Sequence, residues 1–221
     1  MAEKGVIVEF DFTVLNGAEL LFETTKSFLK ALDGIEFDLP VEARHFAGND
    51  YLDGFRRYFS VVKTKKTAQK AARDLSEAFA AAVTREAPGA LTVAFKNFVK
   101  ALQEKGVRVV IATRADLESV RPAFVSALGP NIAFYQEPSA CYGAVRWESW
   151  RRACRAGGVR AASTLAVTGS GAGVKAALLA GMGSVAVVND HVAYQDFGGA
   201  QAAVGELSGK TAKKVLEVLR I

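Results

Sequence analysis

Val6-Ile7-Val8-Glu9-Phe10-Asp11 is the stretch that decides the fold. A β-branched apolar run closed by acids reads as a parallel strand, buried on both faces, that meets a polar site at its carboxyl end. The expected strand is Gly5–Phe10, and a polar turn follows at Asn16-Gly17. Beyond it the period changes from strand to helix. Leu20, Leu21, Thr24, Phe28 and Leu32 recur at helical spacing, as do Phe55, Tyr58, Phe59 and Val62. Ala68–Val83 is an Ala-rich amphipathic stretch with Leu75, Phe79 and Val83 on one face. The chain between residues 18 and 87 therefore reads as an all-helical insert, separated from the rest by Pro88-Gly89.

After Pro88-Gly89 strands and helices alternate. The spacing predicts a helix over Ala90–Lys105 ended by Gly106, a strand over Val107–Ala112, and a helix over Leu117–Leu128 with Pro122 in its first turns. It then predicts a strand over Ile132–Tyr135, an Arg-rich helix over Trp147–Ala156 and a strand over Thr164–Val167. A Gly-rich turn at Thr168-Gly169-Ser170-Gly171 leads into a helix over Ala172–Ala180, stopped by Gly181. A strand over Ser184–Val188 and a last helix over Thr211–Leu219 complete the pattern. Such alternation makes a parallel sheet covered by helices on both faces, an α/β class of fold.

Composition narrows the function classes. Half of the 221 residues are hydrophobic, ample for a sizeable core and against disorder. No apolar run approaches the roughly 20 residues that span a bilayer. The segment Met1–Gly5 lacks the basic, apolar, small-residue order of a signal peptide, so a cytoplasmic setting is expected. Cys141 and Cys154 fit neither a disulfide framework nor a metal motif, and His45 and His191 lie far apart, so no zinc site is expected. The net charge of +5 favours anionic partners, with concentrations at Lys63–Lys70 and Arg146–Arg160 whose simplest reading is a solvated helix face. Neither a membrane nor a nucleic acid is expected as partner.

Ligands of an open parallel sheet bind outside the carboxyl ends of its strands. Three such ends are polar here: Glu9, Asp11 and Thr13; Thr113 and Arg114; and Thr168, Gly169 and Ser170. Each has a purely structural reading as well. Thr113 can cap the following helix, glycines 169, 171 and 173 can serve the turn alone, and Trp147 and Trp150 read as packing residues. As a dinucleotide fingerprint the glycines fail, because GxGxxG is not met and the strand is not the first.

Together these stretches resemble a known family. Glu9-Phe10-Asp11-Phe12-Thr13-Val14 is similar to the first motif of the haloacid dehalogenase superfamily. Pro88-Gly89, Glu104-Lys105-Gly106 and Val109-Val110-Ile111-Ala112-Thr113 resemble the stretch through its second. Thr168-Gly169-Ser170-Gly171-Ala172-Gly173-Val174-Lys175-Ala176-Ala177 with Ala180-Gly181-Met182 resembles its fourth. The helical insert falls where the phosphoglycolate-phosphatase-like branch carries its cap. The resemblance implies a Rossmann-like three-layer α/β/α core over residues 1–16 and 88–221, with an all-helical cap over 17–87. It also implies catalytic roles at Glu9 and Asp11 and phosphate binding at Thr13, Thr113, Arg114 and Ser170. No KP dipeptide marks the third motif, and Arg146 is the best match for its phosphate-binding cation.

Two departures bear on activity. Family members place an aspartate nucleophile where Glu9 stands, and the extra methylene moves the carboxylate by roughly 1.5 Å, enough to cost about a hundredfold in rate. They hold Mg²⁺ with acids where Thr168-Gly169-Ser170 carries none, and hard Mg²⁺ needs carboxylate oxygens. The expectation is a phosphatase-type site that is catalytically impaired and binds a phosphorylated small molecule, another anion or a protein partner, with no cofactor. One alternative is an active phosphomonoester hydrolase that uses Glu9, Asp11 and Mg²⁺. Another is a structural subunit of a larger assembly. A metal-independent dehalogenase is disfavoured because it too requires the aspartate nucleophile.

Overall fold

The computed structural model describes residues 4–46, 50–138 and 146–221. Cys141 and the stretch from Gly143 to Val145 lie outside the described residues. Six strands form one parallel sheet in the order β3-β2-β1-β4-β5-β6. They are β1 (Gly5–Glu9), β2 (Arg108–Thr113), β3 (Ile132–Gln136), β4 (Thr164–Thr168), β5 (Gly183–Val187) and β6 (Ala202–Val204). β1 lies between β2 and β4, with Glu9 opposite Ala112 and Val8 opposite Val167. That central place is why its whole length is buried and, up to Glu9, apolar.

Alternation along the strands divides the core into two layers. Val6, Val8, Val109, Ile111, Val167 and Val185 face a cluster that includes Phe10, Phe95, Phe98 and Phe124. Ile7, Val110 and Ala166 face Trp150, Ala153, Cys154, Ala176 and Ala177 on the other side. Helices α6 (Val93–Gln103), α7 (Leu117–Leu128) and α10 (Gly209–Leu219) cover the first face, and α8 (Trp147–Gly157) and α9 (Gly171–Leu179) the second.

Between β1 and β2 the chain is helical. A short turn, α1 (Phe10–Thr13), leads to α2 (Gly17–Asp33), α3 (Leu39–Val41), a π-helical turn over Glu42–Phe46, α4 (Tyr51–Phe59) and α5 (Ala68–Glu86). A third hydrophobic cluster holds Leu29, Phe37, Phe55, Tyr58 and Leu75 together within this helical cap. α5 belongs to both bodies: Leu75 packs in the cap cluster, while Phe79 and Val83, one and two turns further on, pack with Phe10 in the core.

The elements differ from the sequence reading in ways that have local causes. The first strand stops at Glu9, one residue early, because Glu9 (φ −72°, ψ 84°) turns the chain into α1. α6 begins at Val93, since the Thr92 hydroxyl accepts from the Phe95 N–H and caps it there. β2 runs one residue further, so Thr113 is the last residue of the strand. β6, only three residues of Ala-Ala-Val at the sheet edge, has too little pattern to be read as a strand.

Gly17 and Gly169 are among the glycines that have no room for a side chain. A Cβ at Gly17 would stand 2.1 Å from the Asp11 carbonyl oxygen, and one at Gly169 would stand 2.1 Å from that of Phe12. Backbone cannot yield as a flexible side chain can. Gly169→Ala is therefore expected to lower the thermal midpoint by more than about 10 °C or to prevent folding, a loss of several kcal/mol. Gly205→Ala, where nothing lies within 4 Å of the added Cβ, is expected to change stability by less than about 0.5 kcal/mol. Thermal unfolding of both variants followed by circular dichroism checks the contrast.

Candidate functional site

The two acids that flank Phe10 reach opposite ways across the sheet. Because β1 is central, its carboxyl end has β4 on one side and β2 on the other. Glu9 turns to β4: its Oε2 accepts from the Thr168 hydroxyl at 2.5 Å and from the Gly169 N–H at 3.3 Å. Asp11 turns to β2: its Oδ1 accepts from the Thr113 hydroxyl at 2.5 Å and its Oδ2 from the Arg114 N–H at 2.9 Å. The Arg114 guanidinium closes an ion pair with the same Oδ2 at 3.4 Å. Glu9, Asp11 and Arg114 are 3 %, 1 % and 5 % exposed, so water does little to dilute these interactions.

Arg114 also joins the core to the helical cap. Its guanidinium lies 5.5 Å from the ring centre of Phe12 and 6.0 Å from that of Phe79 on α5. Tyr51, the first residue of α4, is buried with no hydrogen-bond partner for its hydroxyl among the described residues, within electrostatic reach of Arg114 and Asp11. On the far side of β2, the Glu137 N–H donates to the Thr113 carbonyl, and its carboxylate accepts from the Ser149 hydroxyl at 2.6 Å. Glu9, Asp11, Thr113, Arg114, Tyr135, Glu137, Ser149 and Trp150 line a cavity in which a water centre finds about 20 Å³, room for roughly one water molecule.

Burial governs the charges. Desolvation pushes the Glu9 carboxyl up to about 7, against the Thr168 hydroxyl and the Arg114 charge, which favour the ionised form. Asp11 is pushed the same way by burial, and the Arg114 guanidinium and the Thr113 hydroxyl oppose it. Arg114 stays cationic, its charge held by Asp11.

The other residues singled out in the sequence have structural engagements. The Thr13 hydroxyl donates to the Glu9 carbonyl at 2.8 Å. Ser170 caps α9, its hydroxyl accepting from the Gly173 N–H at 3.0 Å. Arg146 lies just before α8, with an exposed guanidinium paired to Asp50 of the cap at 3.4 Å. It makes no contact with Glu9 or Asp11 among the described residues, and the cation that meets the acids is Arg114. Trp150 is buried and donates its indole N–H to the Gly173 carbonyl at 3.2 Å, whereas Trp147 is half-exposed under Arg151. Sequence reasoning missed Glu137, Ser149 and Tyr51. Glu137 follows β3 directly, so applying the strand-end rule to that strand would have found it.

The fold can be compared with known proteins. No family model matches the chain, and no curated protein sequence does. Solved structures do match in fold. CbbY from Rhodobacter sphaeroides in complex with phosphate is 17 % identical, with a TM-score of 0.65 over 93 % of this chain and 95 % of its own. A β-phosphoglucomutase from Clostridium difficile is 13 % identical, at 0.69 over 99 % and 97 %. A HAD hydrolase of family IA, variant 3, from Entamoeba histolytica is 14 % identical, at 0.69 over 99 % and 100 %. The fold is haloacid-dehalogenase-like.

Mg²⁺, expected only for an active hydrolase, does not fit the donor set. No group of three or more His, Cys, Asp or Glu side chains suited to a metal occurs among the described residues. Glu9 spends its Oε2 on Thr168 and Gly169, Asp11 is ion-paired, and Thr168 to Ser170 supply no carboxylate.

The raised Glu9 fixes a pH dependence. The folded chain holds a proton that the unfolded chain releases at about 4.5, so this group makes stability fall as pH rises from about 4.5 to about 7. Glu9→Gln keeps an acceptor for Thr168 and removes the charge. It is expected to gain roughly 2–3 kcal/mol more over wild type at pH 8 than at pH 5. Urea unfolding at the two pH values measures this, and an equal effect at both would contradict it.

Proposed function

We propose that this chain is a haloacid-dehalogenase-like protein whose phosphatase-type site is catalytically impaired, a pseudoenzyme rather than a working phosphomonoester hydrolase. The observation that carries the reading is the engagement of Asp11. An incoming phosphoryl group would need the Thr113 hydroxyl, the Arg114 N–H and the Arg114 guanidinium, and all three already hold the Asp11 carboxylate. An acid in a buried ion pair is a poor general acid, because protonating it leaves Arg114 uncompensated. The Glu9 oxygen tied to Thr168 and Gly169 is likewise poorly placed as a nucleophile, since in-line attack tolerates little displacement.

The ligand in this reading is a phosphorylated small molecule that displaces Asp11 from its donors, or a protein partner. The first is supported by analogy with CbbY, whose structures hold phosphate and xylulose bisphosphate. The division into a core of residues 1–16 and 88–221 and a cap of 17–87 is part of the same proposal, and so is a cytoplasmic location. No helix among the described residues is long and apolar enough to cross a membrane.

A panel of phosphomonoesters assayed with Mg²⁺ on wild type, Glu9→Asp and Asp11→Asn tests the proposal. Wild type is expected to turn over none of them above the Asp11→Asn background. Activity confined to Glu9→Asp would support the reading. Robust wild-type turnover that Asp11→Asn abolishes would overturn it and restore the active-hydrolase alternative.

A further inference from the structure

β3 is an edge strand: among the described residues its one strand neighbour is β2. The Glu137 N–H donates to the Thr113 carbonyl. Alternate residues of a parallel strand turn their backbone groups to the same side, so Ala133 and Tyr135 face β2 as Glu137 does. Ile132, Phe134 and Gln136 therefore present N–H and C=O groups outward, where no described residue pairs with them.

Each flank of this edge carries a guanidinium. On the α7 side, Arg121 lies over the Phe134 ring, 5.2 Å from its centre. On the α8 side, Arg152 stands one helical turn after Ser149, whose hydroxyl donates to Glu137 just past β3. Trp150 and Cys154 turn towards Gly173 and Met182, which leaves Ser149 and Arg152 on the flank over β3. Both arginines are exposed, and neither forms an ion pair among the described residues.

An open row of main-chain donors and acceptors invites an added strand, and the side chains beside it set which one. We propose that the β3 edge is a docking site for an extended acidic segment of a protein partner, which adds to the sheet beyond β3 with its carboxylates against Arg121 and Arg152. Pairing with a second copy of the chain would bring these arginines against their equals, and like charges directly opposite are unfavourable. The inference stands apart from the state of the catalytic site, because it uses the outward face of β3.

The probe is a fluorescein-labelled peptide of alternating valine and glutamate, titrated with the full chain and followed by fluorescence anisotropy. The expected result is saturable binding, at least about tenfold tighter than for the valine–lysine counterpart and weakened by salt. Gln136→Pro removes an outward N–H while leaving every bond to β2, so it is expected to abolish binding. The double variant Arg121→Glu/Arg152→Glu, which does not touch the backbone, is expected to weaken binding at least about tenfold. Circular dichroism establishes that each variant is folded. Failure of wild type to bind, equal binding of the lysine peptide, or undiminished binding by the double variant would each overturn the proposal. So would a dimer of the chain that Gln136→Pro abolishes, since the edge would then serve a second copy.

Discussion

A buried carboxylate must find donors, and at the carboxyl end of this sheet Asp11 finds them within its own chain. The Thr113 hydroxyl, the Arg114 N–H and the Arg114 guanidinium converge on its two oxygens where almost no water reaches. Removing one partner from a buried pair leaves an uncompensated charge, at a cost of about 3–5 kcal/mol. The pair is therefore hard to open, and its reach extends beyond two residues. Arg114 is held between the Phe12 and Phe79 rings, so the charge on Asp11 also ties α5 of the cap to the first turn after β1.

Glu9 follows the same rule on the other side. One more methylene than aspartate carries its carboxylate to the end of β4, where a threonine hydroxyl and a glycine N–H receive it. Residues 9 and 168 are thus a matched pair. A carboxylate at 168 would meet Glu9 as a second buried acid with no cation between them, whereas a hydroxyl donates to it. The lack of acid in the Thr168–Ser170 turn and the glutamate on β1 form one structural arrangement. Gly169 belongs to it as well, since its missing side chain lets the turn close against Phe12.

Much of this was legible in the sequence. The apolar run before Glu9 marked a buried parallel strand, and the change from strand to helical period after Gly17 marked the cap, because both depend on burial patterns that repeat over many residues. Glu9, Asp11, Thr113 and Arg114 were recognisable as strand-end residues and do come together. What could not be read is who pairs with whom. Arg146 and Arg114 are the same side chain in a motif search, yet one is exposed against Asp50 and the other buried against Asp11. Glycines 169, 171 and 173 looked like turn residues. None needs a left-handed backbone, and each is glycine because a neighbour approaches too closely for a Cβ. Tyr51 reaches the site across a cap whose facing no periodicity specifies.

The central claim is that the protein's own Asp11 fills the place an oxyanion would take. Chemical rescue tests it most directly: the thermal midpoints of wild type and Asp11→Ala, measured in formate and in phosphate against chloride at matched ionic strength. Asp11→Ala should be destabilised, and formate or phosphate should raise its midpoint clearly more than that of wild type, where the anion must first displace Asp11, since an anion that binds the folded chain alone stabilises it. Equal stabilisation of wild type and variant, or no rescue of a folded Asp11→Ala by either anion, would contradict the account.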